Sequence, residues 1–119
     1  MNNSEFGKLL EGRTKNVAIT IIRLSDSLLS TTEMKIIKNQ ITKSGTSIGA
    51  NYREANRSRS KSDFLNKIKI CESEASETVY WLEILLELNL KENKNIQTIL
   101  TEAKEILAIF TSIRCKLKT

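Results

Sequence analysis

SGTSIGANYREANRSRSKSDF, residues 44–64, is the stretch of sequence that decides the fold. Its first part, Ser44 to Ala50, is rich in small side chains that allow two helices to approach each other closely. Its second part, Arg53 to Lys61, is basic and ends in residues typical of turns. At Asp63 and Phe64 the longest apolar-periodic segment of the chain begins. The stretch therefore predicts a closely packed helix, a basic turn and the start of the next helix.

Four segments of the chain show apolar residues at alternating spacings of three and four, the period of a helix with one buried face. The 119 residues include no proline, only four glycines and 39% hydrophobic residues, a composition that also favours helices. We predict helices over about 13–30, 32–57, 62–90 and 95–116. Residues 1–12 are predicted to form an N-terminal arm or tail, and 13–117 to form one bundle. The expected fold is all-α: an antiparallel up-down-up-down four-helix bundle with left-handed packing.

Two glycines, Gly45 and Gly49, lie four residues apart inside the second predicted helix. A glycine inside a helix costs roughly 0.5–1 kcal/mol relative to alanine. That cost is offset where another helix comes unusually close, so we predict close helix packing at Ser44, Gly45, Gly49 and Ala50. A phosphate-binding loop is the weaker alternative, because no Gly-Lys-Ser/Thr follows and no strand precedes.

Positive charge is concentrated at one end of the predicted bundle. The formal net charge of +5 permits nucleic acid or another anionic surface as a partner without requiring one. In an up-down-up-down bundle, the start of helix 1, the turn between helices 2 and 3 and the end of helix 4 lie together. This basic end gathers Lys8, Arg13, Lys15, Arg53, Arg57, Arg59, Lys61, Lys67, Lys69, Arg114, Lys116 and Lys118.

Those twelve cations face four acidic residues, Glu5, Glu11, Glu54 and Asp63, so the basic end carries +8 and the remainder −3. Such a cluster is typical of phosphate binding without sequence readout. All of these cations except Lys8 are predicted nucleic-acid-binding residues. Two structural alternatives stay open: a solvated helix end, and head-to-tail pairing with the acidic face of helix 3 in a second subunit.

The residue types argue against several other functions. The chain contains no histidine, and Cys71 and Cys115 lie at no metal-like spacing, so we predict no metal, no cofactor and no catalytic activity. Ser47 and Asn51 could form a small polar site, but interhelical hydrogen bonding explains them with fewer assumptions. The N-terminus has no apolar signal sequence, and no apolar run approaches the ~18 residues of a membrane span. We therefore expect a cytoplasmic bacterial protein without a membrane partner.

Several short blocks resemble one protein family. They are Ser47-Ile48-Gly49-Ala50-Asn51-Tyr52-Arg53-Glu54-Ala55-Asn56-Arg57, Ser62-Asp63-Phe64-Leu65, Ala75-Ser76-Glu77-Thr78 and Tyr80-Trp81-Leu82-Glu83. In this order and spacing the chain resembles the four-helix-bundle family of 23S ribosomal RNA intervening-sequence proteins. The resemblance implies a bundle that assembles into a ring, most often a homopentamer, and it brings no established enzymatic activity. The fold of this family is also similar to that of the accessory variability protein of diversity-generating retroelements. That protein is basic and associates with nucleic acid and a reverse transcriptase.

Two functions follow as expectations. The first is a non-catalytic homo-oligomer that binds RNA or DNA non-specifically through its basic end. The alternative is an oligomeric scaffold or accessory subunit that contacts a protein, such as a reverse transcriptase, and binds no nucleic acid. Since helix 3 carries a second apolar strip, it is expected to contact another subunit. The predicted subunit interface comprises Tyr80, Trp81, Glu77 and Asn51.

Overall fold

Four long helices make up most of residues 3–117, the part of the chain that the computed structural model describes. Helix α1 spans Asn3–Ser27, α2 Thr32–Ala55, α3 Lys61–Glu87 and α4 Asn93–Leu117. Within residues 3–117 there is no strand. The helices form a bundle of 44 × 26 × 21 Å. The prediction of an all-α fold with four helices is confirmed.

The first helix begins ten residues earlier than predicted. Residues 3–12, expected to be an arm or tail, are helical because Leu10 and Thr14 extend the buried stripe that Val17 and Ile21 continue. The hydroxyl of Thr14 donates to the Leu10 carbonyl oxygen at 2.9 Å, so this polar residue is satisfied inside the core. Its polarity interrupts the apolar pattern, which is why the sequence signal appeared to begin at Val17.

Side-chain caps set the starts of the second and third helices. The Thr31 hydroxyl accepts a hydrogen bond from the Met34 amide at 3.2 Å, and the Ser60 hydroxyl accepts one from the Asp63 amide at 3.0 Å. Helix α3 ends at Glu87, three residues before the predicted limit. Asn89 then takes a positive φ of 54°, a conformation that asparagine tolerates better than most residues and that stops a helix.

In the contacts between neighbouring helices, later residues of one helix meet earlier residues of the other, in reverse order. On α2, Gly45 lies against Ile21 and Gly49 lies against Thr14. Between α2 and α3, the Thr78 hydroxyl is 2.9 Å from the Ser44 hydroxyl, and the Cys71 thiol lies near the Ile48 carbonyl oxygen. Consecutive helices therefore run in opposite directions along these stretches. Each helix contacts two others, and the contact between α1 and α4 is the smallest of the four.

The glycine pair on α2 lies where α1 approaches. A Cβ atom on Gly45 would be 2.6 Å from the Ile21 Cδ1 atom, and one on Gly49 would be 3.0 Å from the Thr14 hydroxyl oxygen and 3.3 Å from its carbonyl carbon. Neither glycine has a positive φ, so the need is for space and not for an unusual backbone. Ser44 is buried against Thr78. Ala50 is exposed, so the prediction of close packing was wrong for Ala50 within the chain.

Candidate nucleic-acid interface

The turn between α2 and α3 presents a group of basic side chains to solvent. Backbone hydrogen bonds from Arg57 to Glu54 and from Ser58 to Ala55, 3.1 and 3.0 Å long, fold the turn back on the end of α2. Arg57, Arg59 and Lys61 are all exposed. An open groove of about 310 Å³ runs beside the turn and is lined by Glu54, Arg57, Ser58, Arg59, Asp63, Asn66, Lys67 and Ile70. We call this groove the turn groove.

The chemistry of the turn groove suits an anion with several oxygens. Its donors are the guanidinium groups of Arg57 and Arg59, the ammonium group of Lys67 and the uncharged side chains of Ser58 and Asn66. Asp63, in the first turn of α3, lines the groove, so the N-terminus of this helix, where the helix dipole is positive, lies next to it. Glu54 and Asp63 also line the groove and reduce the formal charge of its lining to +1, from three cations and two carboxylates.

Arg53 and Lys15 lie on the other side of α2, where α1 passes. The Asn56 amide donates to a Glu11 carboxylate oxygen at 2.8 Å, and the Arg53 Nε atom is 3.8 Å from the other oxygen of Glu11. Arg53 is therefore partly neutralised. Lys15 is exposed and lines a separate groove of about 350 Å³ between α1 and α2, together with Arg53 and Ala50.

The Arg13 side chain bridges α1 and α4 instead of extending into solvent. Its guanidinium donates to both oxygens of Glu102 at 3.0 and 2.7 Å and lies 3.0 Å from a Glu105 oxygen. The hydrogen bond with Glu102, the larger cause, and the nearby Glu105 raise the pKa of Arg13 although partial burial opposes the charge. Such bidentate pairing holds two helices in register.

Arg114 is held in the same way between α4 and α3. Its Nη2 atom donates to Glu72 Oε2 at 3.1 Å, and the Thr111 hydroxyl donates to that oxygen at 2.7 Å. The hydrogen bond with Glu72, and then the charge of that carboxylate, raise the pKa of Arg114. Arg114 is therefore engaged within the chain, while Lys116 is exposed near the end of α4 and Lys118 lies outside the described residues.

The carboxylates of Glu72, Glu102 and Glu105 change the charge of the basic end. Sequence counting assigned them elsewhere, but their ion pairs place them beside Arg114 and Arg13. Including these three charges lowers the formal charge of the basic end from +8 to +5. Of the exposed cations of the basic end, Arg57, Arg59 and Lys61 lie at the turn beside the turn groove, and the half-buried Lys67 lines it. Lys8, Lys15 and Lys69 are also exposed, and each lines a different groove.

The predicted subunit-interface residues do not share one environment. Tyr80 and Glu77 are exposed on the outer face of α3. Trp81 packs in an edge-to-face contact with Tyr80 at 5.1 Å between ring centres, but it is half-buried against the chain's own core. The Asn51 amide donates to the Ser47 carbonyl oxygen at 2.9 Å within α2. Only Tyr80 and Glu77 of this set are fully available to a second subunit.

Some residues near the site were missed by sequence reasoning. Ser58 and Asn66 add uncharged donors to the turn groove. The position of Ser58 next to Arg57 in a serine-rich turn was a usable signal, whereas Asn66 lies in α3. Glu72 and Glu102 were assigned to an acidic remainder. Their partners could have been found only from the register between helices, which short connections do not specify to within one turn.

No group of three or more cysteine, aspartate or glutamate side chains in residues 3–117 is arranged to hold a metal ion. Within the same range, none of the helices combines the length and apolar character that crossing a membrane requires.

The four long helices place the chain among all-α four-helix-bundle proteins. The chain belongs to the family of 23S rRNA-intervening sequence proteins, whose pattern matches residues 12–112. It is 35% identical to a crystallised protein of unknown function from the S23 ribosomal protein family of Bacteroides thetaiotaomicron. That similarity covers 88% of this chain and 97% of the other, with a TM-score of 0.80. Among curated proteins, none matches the chain.

Proposed function

We propose that this chain is a non-catalytic, homo-oligomeric protein that binds RNA or DNA without sequence specificity through the turn groove. The observation that supports the proposal is the convergence of Arg57, Arg59 and Lys67 on one open groove, with Lys61 exposed next to it. Within residues 3–117, these side chains make no ion pair as close as those of Arg13 and Arg114. They can therefore exchange counterions for phosphates when nucleic acid arrives.

The composition of the turn groove favours contact with the phosphate backbone over recognition of bases. No aromatic side chain lines it, so it offers no surface on which unpaired bases could stack. Arginine guanidinium groups suit phosphate oxygens because they donate paired hydrogen bonds. Affinity should therefore depend strongly on salt and weakly on sequence.

Assembly is the second part of the proposal. A ring, which we expect to be a pentamer of left-handed up-down-up-down bundles, would repeat the turn groove in every copy. Several weak sites on one particle bind a polyanion more tightly than one site does, because each further contact forms at high effective concentration. A single groove with a small net charge then suffices for function.

Reversing three charges at the turn groove tests the proposal. The variant combines Arg57→Glu, Arg59→Glu and Lys61→Glu, and its affinity for duplex and single-stranded RNA and DNA is measured at several salt concentrations. If all three side chains contact phosphates, the slope of log affinity against log salt falls by about three. The affinity at low salt should fall by more than tenfold.

A matched control has the same change in net charge at the opposite end of the bundle. It combines Arg23→Glu, Lys35→Glu and Lys94→Glu, three exposed cations near the far ends of their helices. Equal losses of affinity in the two variants would show that net charge alone attracts the nucleic acid, and would refute the turn groove as the binding site. If the unmodified chain binds no nucleic acid even at low salt, the proposal fails and a protein partner becomes the working function.

A further inference from the structure

Glu54, in the last turn of α2, lines two grooves of the basic end. One is the turn groove, and the other is the groove of about 350 Å³ between α1 and α2 that Lys15 and Arg53 also line. We call the second one the α1–α2 groove. Because Glu54 borders both, the two grooves adjoin each other at the end of α2.

One face of α2 joins the two grooves. Thr46, Ala50, Arg53 and Arg57 follow each other at steps of four, three and four residues, which place them on one side of the helix and of the turn that continues it. Thr46 is half-buried and the other three are exposed. The first three line the α1–α2 groove, and Arg57 lines the turn groove. The two grooves are therefore successive parts of one exposed surface.

The α1–α2 groove has a cation from each of the helices that border it, Lys15 from α1 and Arg53 from α2. The Arg53 Nε atom is 3.8 Å from a Glu11 oxygen, farther than the about 2.7–2.9 Å of a charge-assisted hydrogen bond, and the Arg53 side chain is 56% exposed. The other Glu11 oxygen accepts a hydrogen bond from the Asn56 amide at 2.8 Å. Glu11 thus keeps a partner when the Arg53 guanidinium turns toward a phosphate.

The uncharged residues that line the α1–α2 groove are all small: Ala18, Thr46, Gly49 and Ala50. The approach of α1 explains the absence of a side chain at Gly49. Ala50 is exposed, so packing within the bundle does not account for its size. Without bulky side chains, the groove has room for the sugar–phosphate backbone of a nucleic-acid strand between Lys15 and Arg53.

The charge of the α1–α2 groove makes it dependent on the turn groove. Its two cations are matched by two carboxylates, Glu11 and Glu54, so the formal charge of its lining is zero, compared with +1 for the turn groove. A neutral groove does not attract a polyanion by itself. It can hold a nucleic-acid strand that the turn groove has already bound, because a second contact with the same strand forms at high effective concentration.

From this arrangement we infer that the α1–α2 groove is a second contact site for the nucleic-acid strand that binds in the turn groove. Lys15 and Arg53 contact its phosphates, and Ala50 leaves space for the backbone between them. The inference rests on the proposed function and extends the binding surface from one groove to two.

The length of the α1–α2 groove sets the length of the ligand. Thr46 and Glu54 are eight residues apart on α2, about 12 Å along the helix axis at 1.5 Å per residue. A stacked nucleic-acid strand advances about 3.4 Å per nucleotide, so about four nucleotides cover this groove alone. The ligand that fills both grooves is therefore an RNA or DNA strand longer than about four nucleotides, and a mononucleotide is too short.

A steric block without a change of charge tests the inference. Ala50→Leu fills the α1–α2 groove, and Ala108→Leu is the matched control at an exposed alanine of α4 that lines neither groove. With strands of about 16 nucleotides, Ala50→Leu should lower the affinity at low salt by at least about threefold. It should also lower the slope of log affinity against log salt by about one to two, because two phosphate contacts are lost. Equal affinities and slopes in the two variants would overturn the inference.

Strand length gives an internal control for the Ala50→Leu variant. A strand of about four nucleotides is held by the turn groove alone, so the variant should bind it as tightly as the unmodified chain does. An equal loss of affinity for short and long strands would overturn the inference, because it would show an effect that does not depend on the second groove. Circular dichroism and sedimentation velocity compare the fold and the mass of each variant with those of the unmodified chain.

Removal of the two cations is an independent test that does not depend on how the chain accommodates a leucine at residue 50. Lys15→Gln combined with Arg53→Gln should lower the salt slope for long strands by about two. Arg23→Gln combined with Lys35→Gln removes the same charge at the opposite end of the bundle and should leave the slope unchanged. Equal changes of slope in the two double variants would overturn the inference.

The turn-groove variant separates failure of the inference from failure of the proposed function. If the unmodified chain binds no nucleic acid, or if Arg57→Glu combined with Arg59→Glu and Lys61→Glu leaves its affinity unchanged, the proposed function fails and the inference fails with it. If that triple variant loses affinity while the Ala50→Leu variant and the Lys15→Gln, Arg53→Gln variant bind long strands like the unmodified chain, only the inference fails.

Discussion

Replacing Gly45 by alanine should destabilise the fold, although alanine is the better helix former. Both Gly45 and Gly12 lie inside helices, so either substitution gains about 1 kcal/mol of helix propensity. At Gly12 nothing lies within 4 Å of the added Cβ atom. At Gly45 the added atom would be 2.6 Å from Ile21 Cδ1, 3.1 Å from its Cγ2 and 3.4 Å from its Cβ. The same change therefore meets open space at one site and a packed side chain at the other.

The expected change in the free energy of unfolding is the gain in helix propensity minus the cost of overpacking. Overpacking a core costs about 1–3 kcal/mol, and the buried Ile21 has little room to rotate away. Gly12→Ala is expected to raise the free energy of unfolding by about 0.5–1 kcal/mol, and Gly45→Ala to lower it by up to about 2 kcal/mol. At roughly 4 °C per kcal/mol for a domain of this size, the two melting temperatures should differ by about 4–12 °C.

Urea denaturation followed by circular dichroism, at one fixed protein concentration, measures both variants. Ile21→Val removes the Cδ1 atom, so in the Gly45→Ala background it should cost less than it does alone, where about 0.5–1.5 kcal/mol is expected. A Gly45→Ala variant as stable as Gly12→Ala would refute the idea that the glycine serves close helix approach. So would the absence of coupling with Ile21→Val.

Three further predictions concern single side chains. Thr78→Val should lower the free energy of unfolding by about 1 kcal/mol, because it removes the buried hydroxyl that contacts Ser44. Thr78→Ser keeps a hydroxyl and should retain most of that free energy in the same urea titration. Ser60→Ala should lower the free energy of unfolding by about 1 kcal/mol, because it removes the side-chain cap of α3. A melting temperature equal to that of the unmodified chain would contradict this prediction. Burial raises the pKa of the Cys71 thiol to about 12. The contribution of the neutral thiol to the free energy of unfolding is therefore complete below pH ~8.5, the pKa of a free thiol, and is lost as the pH rises toward 12. The Cys71→Ala variant should lose less stability than the unmodified chain over that range. In the folded chain at pH 8, iodoacetamide should label the exposed Cys115 and leave Cys71 unmodified.

The helical pattern was readable from the sequence because most buried positions are apolar and recur with the helix period. Two kinds of residue limited this reading. Thr14 is buried but polar, and it hid the first ten residues of α1. Ala50 is small but exposed, which shows that a small side chain in a helix marks close packing only on the face that meets another helix.

The candidate site could be predicted only in part. The turn between α2 and α3 was predictable because Arg57, Arg59 and Lys61 are adjacent in sequence and must share one place. Arg13 and Arg114 were counted with them, yet each is bound to carboxylates on a neighbouring helix. Which acid meets which base depends on how far one helix is shifted along another, and a shift of one turn, about 5.4 Å, changes every pair.

The ion pair at Arg13 gives the bundle one side that responds to ionic strength. The contact between α1 and α4 is small, and Arg13 bridges it to Glu102 and Glu105, whereas the contact between α1 and α2 is larger and is closely packed at Gly45 and Gly49. Salt weakens such a half-exposed bridge and leaves apolar burial largely intact. Added salt should therefore loosen the α1–α4 edge of the bundle while α1 stays packed on α2. That edge is in this sense held by an electrostatic clasp.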